Sequence, residues 1–249
     1  MPNQNPFADL TFDDFRKLAT NGDLSRHEKV GFPDSYREGK EEAIFADVVN
    51  KLKELQGTNK TILEIGPGCS RLPIMLAKMC EERSHRLIFV DSAEMLSHVP
   101  EALFIEKIAG RYPDVPELAH RYANRIDVII AYSVIQYVFA EGNLWKFLDQ
   151  TLLLLADGGE ILLGDLPNCT MRKRFFSSNA GRLAHQEFTG TGELPSVTFN
   201  VPEPDKMDDS VVFALLARAR AQGFHAWVVP QAPDLPMANR REDILIRKP

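Results

Sequence analysis

The chain has 249 residues, 44% of them hydrophobic and 26% charged, which is enough to bury one large core; a single domain is expected. Its formal charge of −6 and the lack of a long basic stripe count against a nucleic-acid partner, since Met171-Arg172-Lys173-Arg174 is too short to track a phosphate backbone. No apolar run reaches the roughly 18 residues of a membrane helix, Met1-Pro2-Asn3-Gln4-Asn5 lacks a basic-then-apolar leader pattern, and three cysteines (Cys69, Cys80, Cys169) without metal-ligand spacing suit a reducing compartment. A cytoplasmic protein with no membrane or metal role is expected.

In chain order, residues 12–18 predict a short amphipathic helix and residues 35–55 a longer one. In the longer helix Ser35 and Glu38 have capping-box spacing, and Ile44, Phe45, Val48, Val49, Leu52 and Leu55 form an apolar stripe. Thr61-Ile62-Leu63-Glu64-Ile65 then predicts a buried strand. It runs into Gly66-Pro67-Gly68-Cys69-Ser70, a loop whose glycines allow sharp turning and close backbone approach to a ligand, with Ser70 able to cap the next helix. Apolar residues at 72, 75, 76 and 79 give that helix, with Pro73 in its first turn. Arg86 to Val90 predicts a second strand, ending on Asp91. Ala102-Leu103-Phe104-Ile105 is the candidate third strand, with Glu106 to Gly110 as the loop after it.

Asp127 to Ala131 predicts a fourth strand, followed by the loop Tyr132 to Tyr137. Leu144, Leu148, Leu152 and Leu155 mark one helical face, which Asp157-Gly158-Gly159 stops before a fifth strand, Glu160 to Asp165. Asp208-Asp209-Ser210 caps a last helix ended by Gly223, and Ala226–Val229 with Asp243–Arg247 predicts a closing antiparallel hairpin.

Glu64-Ile65-Gly66-Pro67-Gly68 resembles the first motif of class I S-adenosylmethionine (SAM) methyltransferases, acid-x-Gly-x-Gly. Asp91, beyond the glycines by about the distance Rossmann-like folds require, resembles the acid that accepts hydrogen bonds from ribose hydroxyls. A dinucleotide fingerprint would need a third small residue where Arg71 stands, which counts against NAD or FAD. The closing hairpin and the Gly-Gly-strand phrase extend the likeness over the whole core. The resemblance implies an α/β fold, a seven-stranded, mostly parallel Rossmann-like sheet with an antiparallel last strand and helices on both faces. It divides the chain into an N-terminal helical lid (1–60), a SAM-binding core (61–165), a substrate-side insert (166–207) and a closing helix and hairpin (208–249). It also implies that Glu64, Gly66, Pro67, Gly68, Asp91, Ser92, Ile108 and Ser133 surround SAM, and that S-adenosylhomocysteine (SAH) is the product. Lys107 and Ile108 are expected beside the adenine. Tyr36 and Arg37 either meet SAM or the substrate from the lid, or are ordinary surface residues at a helix start.

Methyl transfer from a sulfonium is an in-line displacement, so alignment and exclusion of water are the main requirements, and only a hydroxyl acceptor also needs a base. Candidate bases are His185 in the insert, Asp165 at the end of the fifth strand, and His27 in the lid. The Asn/Asp-Pro-Pro-aromatic loop of nucleic-acid amino methylation is absent after the fourth strand, where Ala131-Tyr132-Ser133-Val134 stands; no Pro-Cys pair offers the nucleophile of cytosine methylation, and a catechol-type magnesium site lacks its fourth-strand acid. The expected function is metal-independent methylation of oxygen or nitrogen on a small-molecule or sugar acceptor, in a biosynthetic setting. The alternatives are a SAM-binding regulatory or scaffold protein without transfer, and an NAD or nucleotide-sugar enzyme. The sequence leaves the oligomeric state open.

Overall fold

A computed structural model describes residues 10–201 and 203–249. Met1–Asn5, on which the leader expectation falls, and the side chain of Ser35 lie outside the described residues. Seven strands form one sheet in the order β3-β2-β1-β4-β5-β7-β6. The strands are β1 (Thr61–Ile65), β2 (Arg86–Asp91), β3 (Ile105–Ala109), β4 (Ile126–Tyr132), β5 (Leu155–Pro167), β6 (His225–Pro230) and β7 (Arg241–Arg247). Only β7 runs against its neighbours, as the expected closing hairpin requires.

Alternate residues of each strand point to opposite faces, and both faces are covered, which is why the central strands read as continuous apolar runs. Leu63, Ile129, Ile161 and Leu163 pack on one face with α9 (Leu144–Leu154) and α12 (Asp209–Ala221). Ile62, Val128, Ile130 and Leu162 pack on the other with α4 (Glu41–Lys51) and α5 (Leu72–Glu82). Asp208 caps α12 by accepting from the N–H groups of Ser210 and Val211, as its sequence context predicts.

Three expectations are corrected and a fourth is refined. The helix expected over residues 35–55 is broken: α3 (Asp34–Arg37) ends before Gly39, whose φ of +72° leaves the helical region, and α4 starts afresh at Glu41. The third strand lies later than Ala102–Ile105. Leu103 is fully solvent-exposed, and pairing with β2 runs from Ile105 opposite Leu87 to Ala109 opposite Asp91. The fifth strand starts at Leu155, so Asp157-Gly158-Gly159 is a bulge within it and not a helix stop; Gly158 turns there at φ +76°. Finally, the start of α5 is capped from two places, since Ser70 Oγ accepts the Leu72 N–H at 3.4 Å and Glu41 of the lid accepts the Arg71 N–H at 2.8 Å.

Gly164 on β5 lets the Tyr132 ring at the end of β4 lie flat against its neighbour strand. A Cβ built at 164 stands 2.9 Å from Tyr132 Cε2 and closer still to Cδ2. Gly164→Ala is expected to destabilise the fold by about 1–3 kcal/mol through overpacking. Urea denaturation measures this, and an unchanged midpoint would refute the packing described.

Candidate functional site

The carboxyl ends of β1, β2 and β4 open on a cavity of about 290 Å³, lined by Glu64, Gly66, Pro67, Gly68, Asp91 and Ser133 together with lid residues. Its position follows the rule that open α/β sheets bind ligands beyond the carboxyl ends of their strands. The loop after β1 uses both glycines in the left-handed region, at φ +68° (Gly66) and +63° (Gly68), where a side chain is strained. Close packing adds a second constraint: a Cβ at Gly66 would meet Val134 at 2.7 Å, and one at Gly68 would meet Val30 at 2.6 Å. The space beside Gly68 is therefore filled by the lid.

Two acids face this loop without a cation among the described residues. Asp91 accepts from Ser92 N at 2.6 Å and Gly68 N at 3.3 Å, yet burial still raises its carboxyl to about 6. Glu64 is buried, its Oε2 has no hydrogen-bond partner, and burial reinforced by the Asp91 charge raises its carboxyl to about 8. A buried carboxylate oxygen with no donor costs free energy unless a ligand supplies one. Cys69, between them in sequence, is a filler: burial pushes its thiol up to about 11, and its Sγ contacts Arg26 O at 3.6 Å.

Four of the contacts that fasten the lid lie around this cavity. Val30 sits on Gly68, Arg26 O meets Cys69, Glu41 caps α5, and the Arg37 guanidinium reaches Asp165 Oδ2 at 2.7 Å. His27, also on the cavity wall, has Nδ1 at 2.9 Å from Asp34 and Nε2 at 3.4 Å from Glu41, so it acts as a clasp within the lid. Arg37 donates to Ser133 Oγ at 2.7 Å through the same Nη2, and it stacks on Phe32 with 4.2 Å to the ring centroid. Among the described residues only Nη2 of this guanidinium has a hydrogen-bond partner, and the residue lines the cavity.

Asp165 differs from its expected role. It is buried beside the site, at φ +59°, and its Oδ2 takes Arg37, Arg241 Nη1 at 2.8 Å, and a short hydrogen bond from Ser133. Its Oδ1 takes only the Gln231 side chain, at 3.4 Å, so the contacts that hold this carboxylate serve chiefly to anchor arginines. Three other expected residues also stand elsewhere. Ser92 Oγ caps α6 (Ala93–Leu96) by accepting from Met95 N. Ile108 lies inside β3 with its side chain in the core, and Lys107 Nζ is turned to Val99 O and Glu101, because the strand starts later than expected. The loop that meets the cavity is the next one, Gly110 to Asp114. The apolar pair Ile105 and Ile108, facing opposite sides of the sheet, was the sequence signal for that placement.

Tyr36 and His185 line a second, larger cavity of about 980 Å³ between the lid, α8 (Ile135–Glu141), α10 (Cys169–Ser177) and α11 (Asn179–Thr189). Phe32, Tyr137 and Glu141 belong to both walls, so the two cavities adjoin. The His185 ring packs edge-on against Phe176 at 6.1 Å, and among the described residues its nitrogens have no hydrogen-bond partner.

No protein-family model and no curated protein sequence matches the chain. Solved structures do match its fold. The plantazolicin methyltransferase BpumL, in complex with a monoazolic desmethylPZN analog and SAH, superposes with a TM-score of 0.58 at 15% identity, over 95% of this chain and 96% of that one. The N-methyltransferase NodS from Bradyrhizobium japonicum WM9, in complex with SAH, gives 0.56 at 14% identity, over 97% and 100%. The CurJ carbon methyltransferase gives 0.55 at 18% identity over 94% of this chain, which spans 63% of that longer one. The chain has the Rossmann-like fold of SAM-dependent methyltransferases.

Two expectations arise from this geometry. Because Glu64 holds its proton more tightly folded than unfolded, the stability it contributes is fully present below its ordinary value of 4.5 and is lost as pH rises through about 8. Melting temperatures of the ligand-free protein between pH 5 and 8 should fall more steeply for wild type than for Glu64→Gln; parallel profiles would refute the buried, partnerless carboxyl. Arg37→Met removes one of the two guanidinium groups compensating buried Asp165 and should cost about 3 kcal/mol in urea denaturation. A loss below about 0.5 kcal/mol, the level of an ordinary surface change, would count against the lid anchor.

Proposed function

We propose that the chain is a SAM-dependent methyltransferase acting on a small-molecule acceptor. The observation that carries this reading is the partnerless buried Glu64 Oε2 in the same cavity as the Gly66–Gly68 loop and Asp91. That set fits the ligand group by group: Glu64 offers an acceptor for an ammonium, Asp91 for ribose hydroxyls, and the free N–H groups of Arg37 suit a carboxylate. When bound, SAM supplies a methyl group already activated on a sulfonium.

The protein's own contribution is alignment and exclusion of water. The lid covers the loop through Val30 and Phe32, and the shared wall of Phe32, Tyr137 and Glu141 lets the larger cavity present an acceptor to the smaller one. For a hydroxyl acceptor, His185 is the side chain available to take the proton. Asp165 is engaged by its arginines and Ser133, and His27 is pinned between Asp34 and Glu41, whereas His185 lines the acceptor cavity and its nitrogens have no partners among the described residues. The acceptor is proposed to be a small or carbohydrate-like molecule, held by the insert between β5 and α12.

Calorimetry with SAH tests the cofactor assignment. Wild type is expected to bind at micromolar or tighter affinity, Asp91→Ala at least tenfold more weakly, a loss of about 1.4 kcal/mol or more. Affinity unchanged by Asp91→Ala would overturn the site. Formation of SAH from labelled SAM with a metabolite extract separates transfer from binding alone.

A further inference from the structure

The larger cavity is not electrostatically neutral, and its charges are unevenly satisfied. Four of its charged side chains are matched: Arg241 is bound to Asp165 at 2.8 Å, Arg172 and Glu203 to each other at 3.1 Å, and Glu141 to Arg111 at 3.2 Å. Arg240 is different. Its guanidinium is partly buried on the cavity wall and lies over the Phe176 ring at 5.6 Å, and among the described residues no carboxylate pairs with it. Nearby acids are turned elsewhere. Glu242, two residues on, accepts from Asn168 at 2.6 Å, Glu203 is shared between Arg172 and Lys173, and Asp205 stands at the exposed rim.

Arg240 is thus a cation among cations. Burial lowers its proton affinity, and while Tyr36 opposes that effect, Arg241 and Arg172 add to it. Removing a guanidinium from water without an anion is costly, and the ring beneath it returns only part of the loss. Phe175 lies 5.2 Å from Phe176, and the His185 ring meets the same ring edge-on at 6.1 Å. The wall therefore offers a fork of N–H donors beside a cluster of aromatic rings, a pairing suited to a planar body carrying an oxyanion.

We propose that Arg240 is the anion-recognition residue of the acceptor cavity, and that the acceptor is an organic molecule bearing a carboxylate or phosphate next to a planar ring, seated on Phe176. The assignment rests on the transfer reading only in calling the ligand an acceptor. The anion site itself stands on the cavity and its unpaired cation. The neighbouring guanidinium groups of Arg172 and Arg241 add long-range attraction while keeping their own carboxylates, so they strengthen the field without competing for the same bidentate geometry.

The probes are 1-naphthyl phosphate, 1-naphthoate and the neutral 1-naphthamide, titrated by naphthyl fluorescence into the full chain with and without saturating SAH. At least one anion is expected to bind saturably and at least tenfold more tightly than the amide, and whichever anion is tighter names the group recognised. Arg240→Met should weaken that anion at least tenfold, Arg240→Lys should recover part of the loss, and SAH affinity and circular dichroism should stay as in wild type. Equal binding of anion and amide, equal binding by wild type and Arg240→Met, or no saturable binding of either anion would overturn the proposal. Failure of SAH to bind would overturn the transfer reading alone, because the titrations without SAH still decide the anion site.

Discussion

A carboxylate sealed at the end of β5 governs the arrangement around both cavities. Asp165 is 4% exposed, and an ionised group at such depth is tolerated only when opposite charge and hydrogen bonds surround it. Its compensation comes from three directions: Arg37 of the lid, Arg241 at the start of β7, and Ser133 after β4. Each of those elements must therefore converge on one point. The backbone beneath is tied as well, since Asp165 N donates to Asp243 Oδ1 at 2.8 Å and Asp243 is in turn paired with Lys51 of α4 at 2.7 Å. A lid segment 128 residues away in sequence is thereby registered against the sheet edge that faces the ligand.

The same convergence separates two electrostatic environments. On the side of β1 and β2, the Glu64 and Asp91 carboxyl groups have no cationic partner among the described residues and are held above the usual carboxylate range by burial, so that side favours a ligand that brings positive charge and hydrogen-bond donors. On the side of β7 and the insert, the balance is reversed by Arg240 with Arg172 and Arg241 beyond it. Arg37 and Phe32 stand between. On the proposed reading, a sulfonium donor and an anionic acceptor approach each other across this boundary, each drawn to the side of opposite sign.

Much of the first cavity was legible because its chemistry is local in sequence. Strand, glycine loop and strand-end acid occupy residues 61 to 91, where hydrophobic periodicity and spacing suffice, and Glu64, Gly66, Pro67, Gly68 and Asp91 line that cavity. What depended on long-range pairing was read less well. Ala102-Leu103-Phe104 is as apolar as a strand, but only the register with β2 reveals that Leu103 points into solvent and that Ile105 to Ala109 carries the pairing. Asp165 looked like an available base because its two arginines lie far away in sequence. Arg240, in the stretch from Pro230 to Arg241 that reads only as a hairpin connection, acquires its meaning from Phe176 and the cavity. Two adjacent arginines where the chain enters β7, at the ligand-facing end of the sheet, were the one signal in the sequence.

The partnerless oxygen of Glu64 is a cost the fold accepts, and its neighbours explain why it is not relieved internally. A lysine or arginine placed to neutralise it would occupy the cavity, and a backbone donor would require the Gly66–Gly68 loop to turn inward, where Val134 and Val30 already press on it. The loop is held between Val30 of the lid and Val134 just before α8, so the Glu64 carboxyl keeps its proton until a ligand supplies positive charge. Binding of a cationic group then returns the free energy that burial of Glu64 withholds, so affinity at this cavity and stability of the ligand-free fold are opposed through a single carboxyl group.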